Sequence, residues 1–204
     1  HFLTETARRH DGLAKSEARR RAVEALADVG ISHPERRLDQ YPHEFSGGML
    51  QRVMICATVL SGARLLLADE PTTALDVTTQ AEVVSLLDRL RRQRGIGMLF
   101  ITHDLELAKG VCDRIYVMYA GRIVEELPAQ AFDETAVHPY TRALLSARPS
   151  LTQRVKRLAS IPGRPASAAE VRGCAFAPRC AHALPACTDS EPEVRPVAAD
   201  HSVQ

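Results

Sequence analysis

The run Leu65-Leu66-Leu67-Ala68-Asp69-Glu70-Pro71 constrains this chain more than any other segment. A short, continuous apolar run before a proline reads as a strand of a parallel sheet, buried on both faces, over Arg64–Ala68. Parallel pairing needs a crossover, and the sequence supplies one. Thr78–Arg94 carries Val83, Leu86, Leu87 and Leu90 at helical spacing and stops at Gly95, and Gly97–Thr102 is a second apolar strand. A short helix over Asp104–Lys109, a strand over Arg114–Tyr119 and a turn at Ala120-Gly121 into Arg122–Glu126 continue an α/β layered pattern. Upstream, Met49–Ser61 reads as a helix buried nearly all round. Ser16 caps an earlier one that places Ala22, Val23, Leu26 and Val29 on one face and ends at Gly30.

Composition narrows the function classes. In 204 residues, 26 Lys+Arg balance 25 Asp+Glu, which argues against a polyanion-binding face, so no nucleic-acid partner is expected. The longest apolar run, Val53–Leu60, is too short to cross a bilayer, and the first ten residues lack the apolar core of a signal peptide. The first residue is His, so the sequence is expected to be processed, cropped or a fragment. Of the 12 prolines, nine lie from Pro128 onward, where regular structure should thin out. Three stretches follow: 1–43, charged and helical; 44–127, alternating helix and strand; and 128–204, rich in Pro and Cys.

In open α/β sheets function collects at the carboxyl ends of strands, and three candidates lie there or at a helix start. Ser46-Gly47-Gly48 precedes an apolar helix, so free backbone N–H groups at a positive dipole end could hold a phosphate; equally, Ser46 could simply cap the helix. Asp69 and Glu70 end a strand, where one acid can hold hydrated Mg²⁺ and the other orient a water toward phosphorus; an acidic pair there can also be a turn. His103 follows the second strand and can reach a phosphate oxygen or a water, or sit as a cap. Asp76 can cap the helix over Thr78–Arg94.

Taken in order, Phe45-Ser46-Gly47-Gly48-Met49-Leu50-Gln51-Arg52, Leu65–Glu70, Ala74-Leu75-Asp76 and Thr102-His103 resemble the signature, Walker B, D-loop and switch-histidine segments of the ATP-binding cassette (ABC) ATPases. The resemblance implies the carboxyl-terminal part of a P-loop NTPase-like α/β domain with its helical subdomain, followed by an extension. It also implies ATP and Mg²⁺ as ligands. Asp69 would hold Mg²⁺, Glu70 would be the catalytic base and His103 would contact the γ-phosphate. Ser46, Gly47, Gly48 and Gln51 would contact ATP on the opposite subunit of a head-to-tail dimer, with Asp76 at that interface. The phosphate loop G-x-x-x-x-G-K-[ST] is not present: of the three lysines, Lys15, Lys109 and Lys156, none follows a glycine. The chain therefore resembles a cassette cut after its Q-loop, and alone it is expected neither to bind ATP tightly nor to hydrolyse it.

Tyr41–Met49 and Val137–Leu145 resemble segments of the peptide-importer branch, which takes up oligopeptides, dipeptides or nickel. That implies a second ATP-binding subunit, identical or paralogous, transmembrane permease subunits, an extracytoplasmic solute-binding protein as an indirect partner, and a peripheral place on the cytoplasmic face of the membrane. Cys56 and Cys112 read as small buried hydrophobes. Cys174, Cys180 and Cys187 are spaced C-x5-C-x6-C, unlike a zinc knuckle. In this branch such an extension can carry a [4Fe-4S] cluster, with His201 or a residue past Gln204 as fourth ligand; reduced surface thiols are the equal alternative. An ABC ATPase of DNA repair fits worse, because no long heptad segment appears. A truncated remnant acting as a metal-binding module stays open, though it would hardly keep Asp69, Glu70 and His103 together.

Overall fold

The computed structural model describes residues 1–148, 160–167 and 171–204. They form two compact units, His1–Leu107 and Ala108–Gln204.

The first unit is α1 (Phe2–Asp11), α2 (Lys15–Asp28), α3 (Pro34–Arg37), α4 (Gly47–Leu60), β1 (Leu65–Asp69), α5 (Val77–Arg94) and β2 (Gly97–Ile101), with α6 (Leu105–Val111) running across the boundary. Ala7, Ala18 and Ala22 are fully buried, and their small side chains let the helices pack closely around Leu26, Cys56, Val83 and Leu87. Ser16 does not cap α2, whose N-cap is Ala14 with no side-chain bond. It falls inside the first turn, because the chain enters the helix two residues earlier. Gly95 ends α5 in the left-handed conformation at φ 62°, which glycine adopts without strain.

β1 and β2 pair in parallel, from Leu65 beside Gly97 to Asp69 beside Ile101. Leu66, Ala68, Met98 and Phe100 pack on the helical core. The opposite face is open: Leu65, Leu67, Leu99 and Ile101 are all exposed, between 46% and 65%. The two-sided burial expected for an apolar run thus fails, since the described helices cover one face and successive side chains alternate. α4 is likewise not buried all round, for Leu50 and Met54 face outward.

Cys56 has no exposure, and burial pushes its thiol up to about 12. The thiolate is the reactive form, so Cys56 should stay unmodified during a short iodoacetamide pulse at neutral pH. Cys174, Cys180 and Cys187, all partly exposed, should label first. Peptide mass spectrometry reads the order, and labelling of Cys56 at the rate of the other three would contradict it.

The second unit holds β3 (Arg114–Tyr119), β4 (Arg122–Pro128), α7 (Phe132–Thr135), α8 (Pro139–Ser146), α9 (Ala186–Asp189), β5 (Arg195–Ala198) and β6 (His201–Val203). Its antiparallel sheet runs β3-β4-β6-β5. Ala120 and Gly121 both have positive φ, as a two-residue hairpin turn requires. The register steps from Val117 beside Glu125 to Met118 beside Ile123, leaving Val124 unmatched. This bulge turns Val124 and Glu125 inward in succession, and both are buried. Regular structure thus does not simply thin out after Pro128: the final residues add the β5–β6 hairpin to the sheet.

Candidate functional site

β1 carries Asp69 as its last residue and Glu70 just past it. The Glu70 N–H donates to Ile101 O at 2.9 Å, prolonging the parallel ladder, while its φ of 43° is one of few left-handed values outside glycine. That conformation costs energy in a residue with a Cβ and turns the side chain away from the strand's alternation. One Glu70 oxygen accepts from Thr73 Oγ1 at 2.8 Å, and the other lies 3.3 Å from His103 Nδ1. The Thr73 hydroxyl first, then His103, hold the Glu70 carboxyl below the usual carboxylate range. The α6 cap is Asp104, whose Oδ1 accepts from Glu106 N and Leu107 N, so the His103 ring is released to face Glu70. Asp69 is exposed beside them. Hard carboxylate oxygens at a strand end suit Mg²⁺, which takes few protein ligands and keeps waters and phosphate oxygens for the rest.

The second group lies at two helix starts. Ser46 caps α4 through Met49 N at 3.4 Å, and Asp76 caps α5 through Thr79 N at 3.0 Å, also accepting from Thr79 Oγ1 at 2.8 Å. The backbone N–H of Thr79, then its hydroxyl, keep the Asp76 carboxyl below its ordinary range. Ser46, Gly47, Gly48 and Asp76 line one open cleft of about 300 Å³. Gln51, one turn into α4 and half-buried, does not line it. The sequence candidates therefore fall into two sets in one chain: Asp69, Glu70 and His103 at the strand ends, and Ser46, Gly47, Gly48 and Asp76 at the paired helix starts.

Gly48 has a packing reason that its motif does not announce. A Cβ there would lie 2.5 Å from Thr79 Cγ2, and the Thr79 rotamer is held by Asp76. Gly48→Ala should therefore lower the thermal midpoint although alanine favours helix, with overpacking costing about 1–3 kcal/mol against a propensity gain of at most about 1 kcal/mol. Thr79→Ser, which removes the clashing methyl and keeps the hydroxyl, should restore the midpoint of the double variant. Equal midpoints for Gly48→Ala and wild type would contradict the packing reading.

Two residues have no role of their own in the sequence reading. Arg52 Nη1 donates to Val29 O at 2.8 Å and Nη2 to Glu82 at 2.6 Å, tying α4 to the end of α2 and to α5. Its adjacency to Gln51 was the available signal. Glu125 in β4 is 1% exposed and accepts from Val137 N at 2.7 Å, His138 N at 3.2 Å and His201 Nε2 at 2.9 Å. Thr141, fully buried, sets its hydroxyl beside the same carboxyl without a well-aligned bond. Nothing in the local sequence marks Glu125 as interior, because the bulge that turns it inward is a pairing property.

The cysteines do not form the expected ligand set. Among the described residues no three His, Cys, Asp or Glu side chains are grouped to hold a metal. Cys174 N bonds Cys187 O at 2.7 Å, while Cys180 Sγ accepts from His182 N and Cys187 Sγ from Leu184 N. His201, one of the two suggested fourth ligands, is buried against Glu125. With His201 so held, a fourth ligand to the three cysteines would have to come from another residue. Cys112 is half-buried rather than buried. No helix among the described residues is long and apolar enough to cross a membrane.

Residues 1–73 match the ABC transporter family, and residues 124–187 match the oligopeptide/dipeptide transporter C-terminal region. The chain is 44% identical over 191 residues to the oligopeptide transport ATP-binding protein OppD of Salmonella typhimurium, spanning 93% of this chain and 57% of that protein. To the dipeptide transport ATP-binding protein DppD of Escherichia coli it is 45% identical over 197 residues, spanning 96% of this chain and 60% of that one. It thus spans less than two thirds of the length of these relatives. Among solved structures, CbiO1 of Clostridium perfringens, part of the ABC transporter complex CbiONQ, superposes with a TM-score of 0.52 at 31% identity, over 58% of this chain and 46% of that one. The ABC transporter cassette MJ0796, solved as a dimer and in a post-hydrolysis state with ADP and Pi, gives a TM-score of 0.51 at 31% identity, over 59% of this chain and 50% of that one. An α/β fold shared with these cassettes and the two sequence matches lead to one conclusion: residues 1–73 are of the ABC transporter family, and residues 124–187 are of the oligopeptide/dipeptide transporter C-terminal region.

Proposed function

We propose that this chain is the signature-to-switch part of an ATP-hydrolysing subunit that energises peptide import. The observation that carries the reading is the Glu70–His103 contact at the ends of two adjacent parallel strands, 3.3 Å across. Glu70, kept ionised by Thr73 and His103, orients an attacking water, and His103 presents its exposed ring to the terminal phosphate. Asp69 would hold Mg²⁺, which would supply charge neutralisation on the phosphates. The cleft at Ser46, Gly47 and Gly48 offers two helix N-termini to the ATP of a facing subunit, and Asp76 lies at that interface. Gln51, outside that cleft, would reach the same nucleotide only where it extends one turn further along α4.

The dimeric MJ0796 cassette supports pairing with a second ATP-binding subunit, and the names of OppD and DppD support oligopeptides or dipeptides as cargo. Transmembrane permease subunits complete the machine, fed by an extracytoplasmic solute-binding protein, so the subunit works peripherally at the cytoplasmic face of the membrane. The test uses the complete transporter in proteoliposomes. ATP hydrolysis and peptide uptake should both depend on Ser46 and Glu70. Uptake that persists when Glu70 is replaced, or a complete protein that hydrolyses no ATP, would overturn the reading.

A further inference from the structure

The geometry points to Arg52 as a positioning residue that sets the nucleotide-facing start of α4 against α5. The inference rests on the proposed ATPase reading and deepens it. Gly48 and Arg52 are four residues apart on α4, and Thr79 and Glu82 are three apart on α5, so each pair shares one helix face. The facing surfaces then meet at two rungs. At the first, Gly48 comes so near Thr79 that no Cβ would fit. At the second, Arg52 Nη2 meets Glu82 Oε2 at 2.6 Å.

The rungs do different work. Close contact at Gly48 stops α4 from approaching α5, but contact alone cannot stop it from lifting or rotating away. Arg52 supplies that restraint. Its second bond, from Nη1 to Val29 O, anchors the guanidinium to the end of α2, where Gly30 at φ 78° leaves the room a Cβ would take, 2.8 Å from Nη1. A planar fork holding two acceptors at fixed angles defines a position that one flexible ammonium does not. The Arg52 side chain is only 19% exposed while Glu82 is 57% exposed, so the guanidinium is held in place although its carboxylate partner faces solvent. Arg52 and Glu82 also line the cleft formed by Ser46, Gly47, Gly48 and Asp76. Arg52 thus acts on the phosphate-facing amides through α4, one turn away.

The test compares Arg52→Met, Arg52→Lys and Glu82→Ala with wild type in the complete transporter, reading kcat, KM for ATP and thermal midpoint. Amide hydrogen exchange over residues 47–50 is read as well. Arg52→Met should lower kcat by about 10-fold to 100-fold with KM within about twofold, since a displacement of about 1 Å is enough for such losses. Arg52→Lys and Glu82→Ala should fall between, and exchange at residues 47–50 should rise in the same order. If Arg52→Met does not fold, the two milder variants carry the comparison. A folded variant with kcat within twofold of wild type, a parallel change in kcat and KM, or unchanged exchange would overturn the inference. A wild-type protein that hydrolyses no ATP overturns the functional reading instead, and exchange at residues 47–50 still decides the positioning claim.

Discussion

Replacing Glu70 by Gln in the complete transporter lowers kcat for ATP hydrolysis by at least ~100-fold and leaves ATP binding intact. The substitution keeps size and one hydrogen-bond acceptor for Thr73 or His103, and removes only the negative charge. That charge persists to lower pH than in an ordinary glutamate, because Thr73 and His103 hold the carboxyl below its usual range. A carboxylate of lowered pKa is a weak proton acceptor, so its contribution is chiefly to orient and polarise the water. The sign is then set. Activity should not fall with the ordinary glutamate titration as pH drops, and the acid limb should lie lower. His103→Ala should cost less, since it removes one contact and leaves the carboxylate. Retention of a tenth or more of wild-type kcat by Glu70→Gln would remove Glu70 from its proposed role.

Replacing Glu125 by Ala destabilises the second unit by roughly 3 kcal/mol, because two backbone N–H groups and an imidazole lose their buried acceptor together. Glu125→Gln should cost less, as an amide oxygen can still accept. Burial alone would raise the Glu125 pKa, but the Thr141 hydroxyl, Val137 N–H, His201 and His138 N–H outweigh it and hold the carboxyl below the usual range. A carboxyl depressed on folding contributes stability above its unfolded pKa and loses it as pH falls through the folded value. His138 adds to this in the same direction. Burial lowers its pKa, so the native form is neutral and protonation of the unfolded chain draws the equilibrium away as pH drops below the ordinary imidazole value. The urea midpoint of the chain should therefore fall between about pH 7 and about pH 5, and fall further below about pH 4.5, with the second step smaller in Glu125→Ala. A midpoint that holds or rises across that range would refute the arrangement.

Much of the site was legible because its chemistry is local. A helix start needs its cap and glycines in consecutive residues, and a strand-end acid pair needs only the strand before it. Ser46, Asp76, Glu70 and His103 accordingly stand at a helix start, a helix cap and two strand ends, as their neighbours imply. The contact between Glu70 and His103 was not local. It follows from the parallel register that sets Asp69 beside Ile101, and from Asp104 taking the α6 cap in place of His103. The Arg52 bonds join residues 23 and 30 positions apart, and no short window contains them.

Residue type and spacing were enough to determine α2, the order of helices and strands from α4 to β4, the stops at Gly30 and Gly95, and the chemistry available at each strand end. Tertiary structure alone decided which sheet face is covered, and that Val124 bulges so that Glu125 points inward. It also decided that the last residues return as β5 and β6, and that His201 serves Glu125 rather than a metal. The physical reason is one of range. Backbone propensity and capping act within a turn or two of chain, whereas burial, register and the pairing of interior charges depend on partners that the chain brings together only on folding.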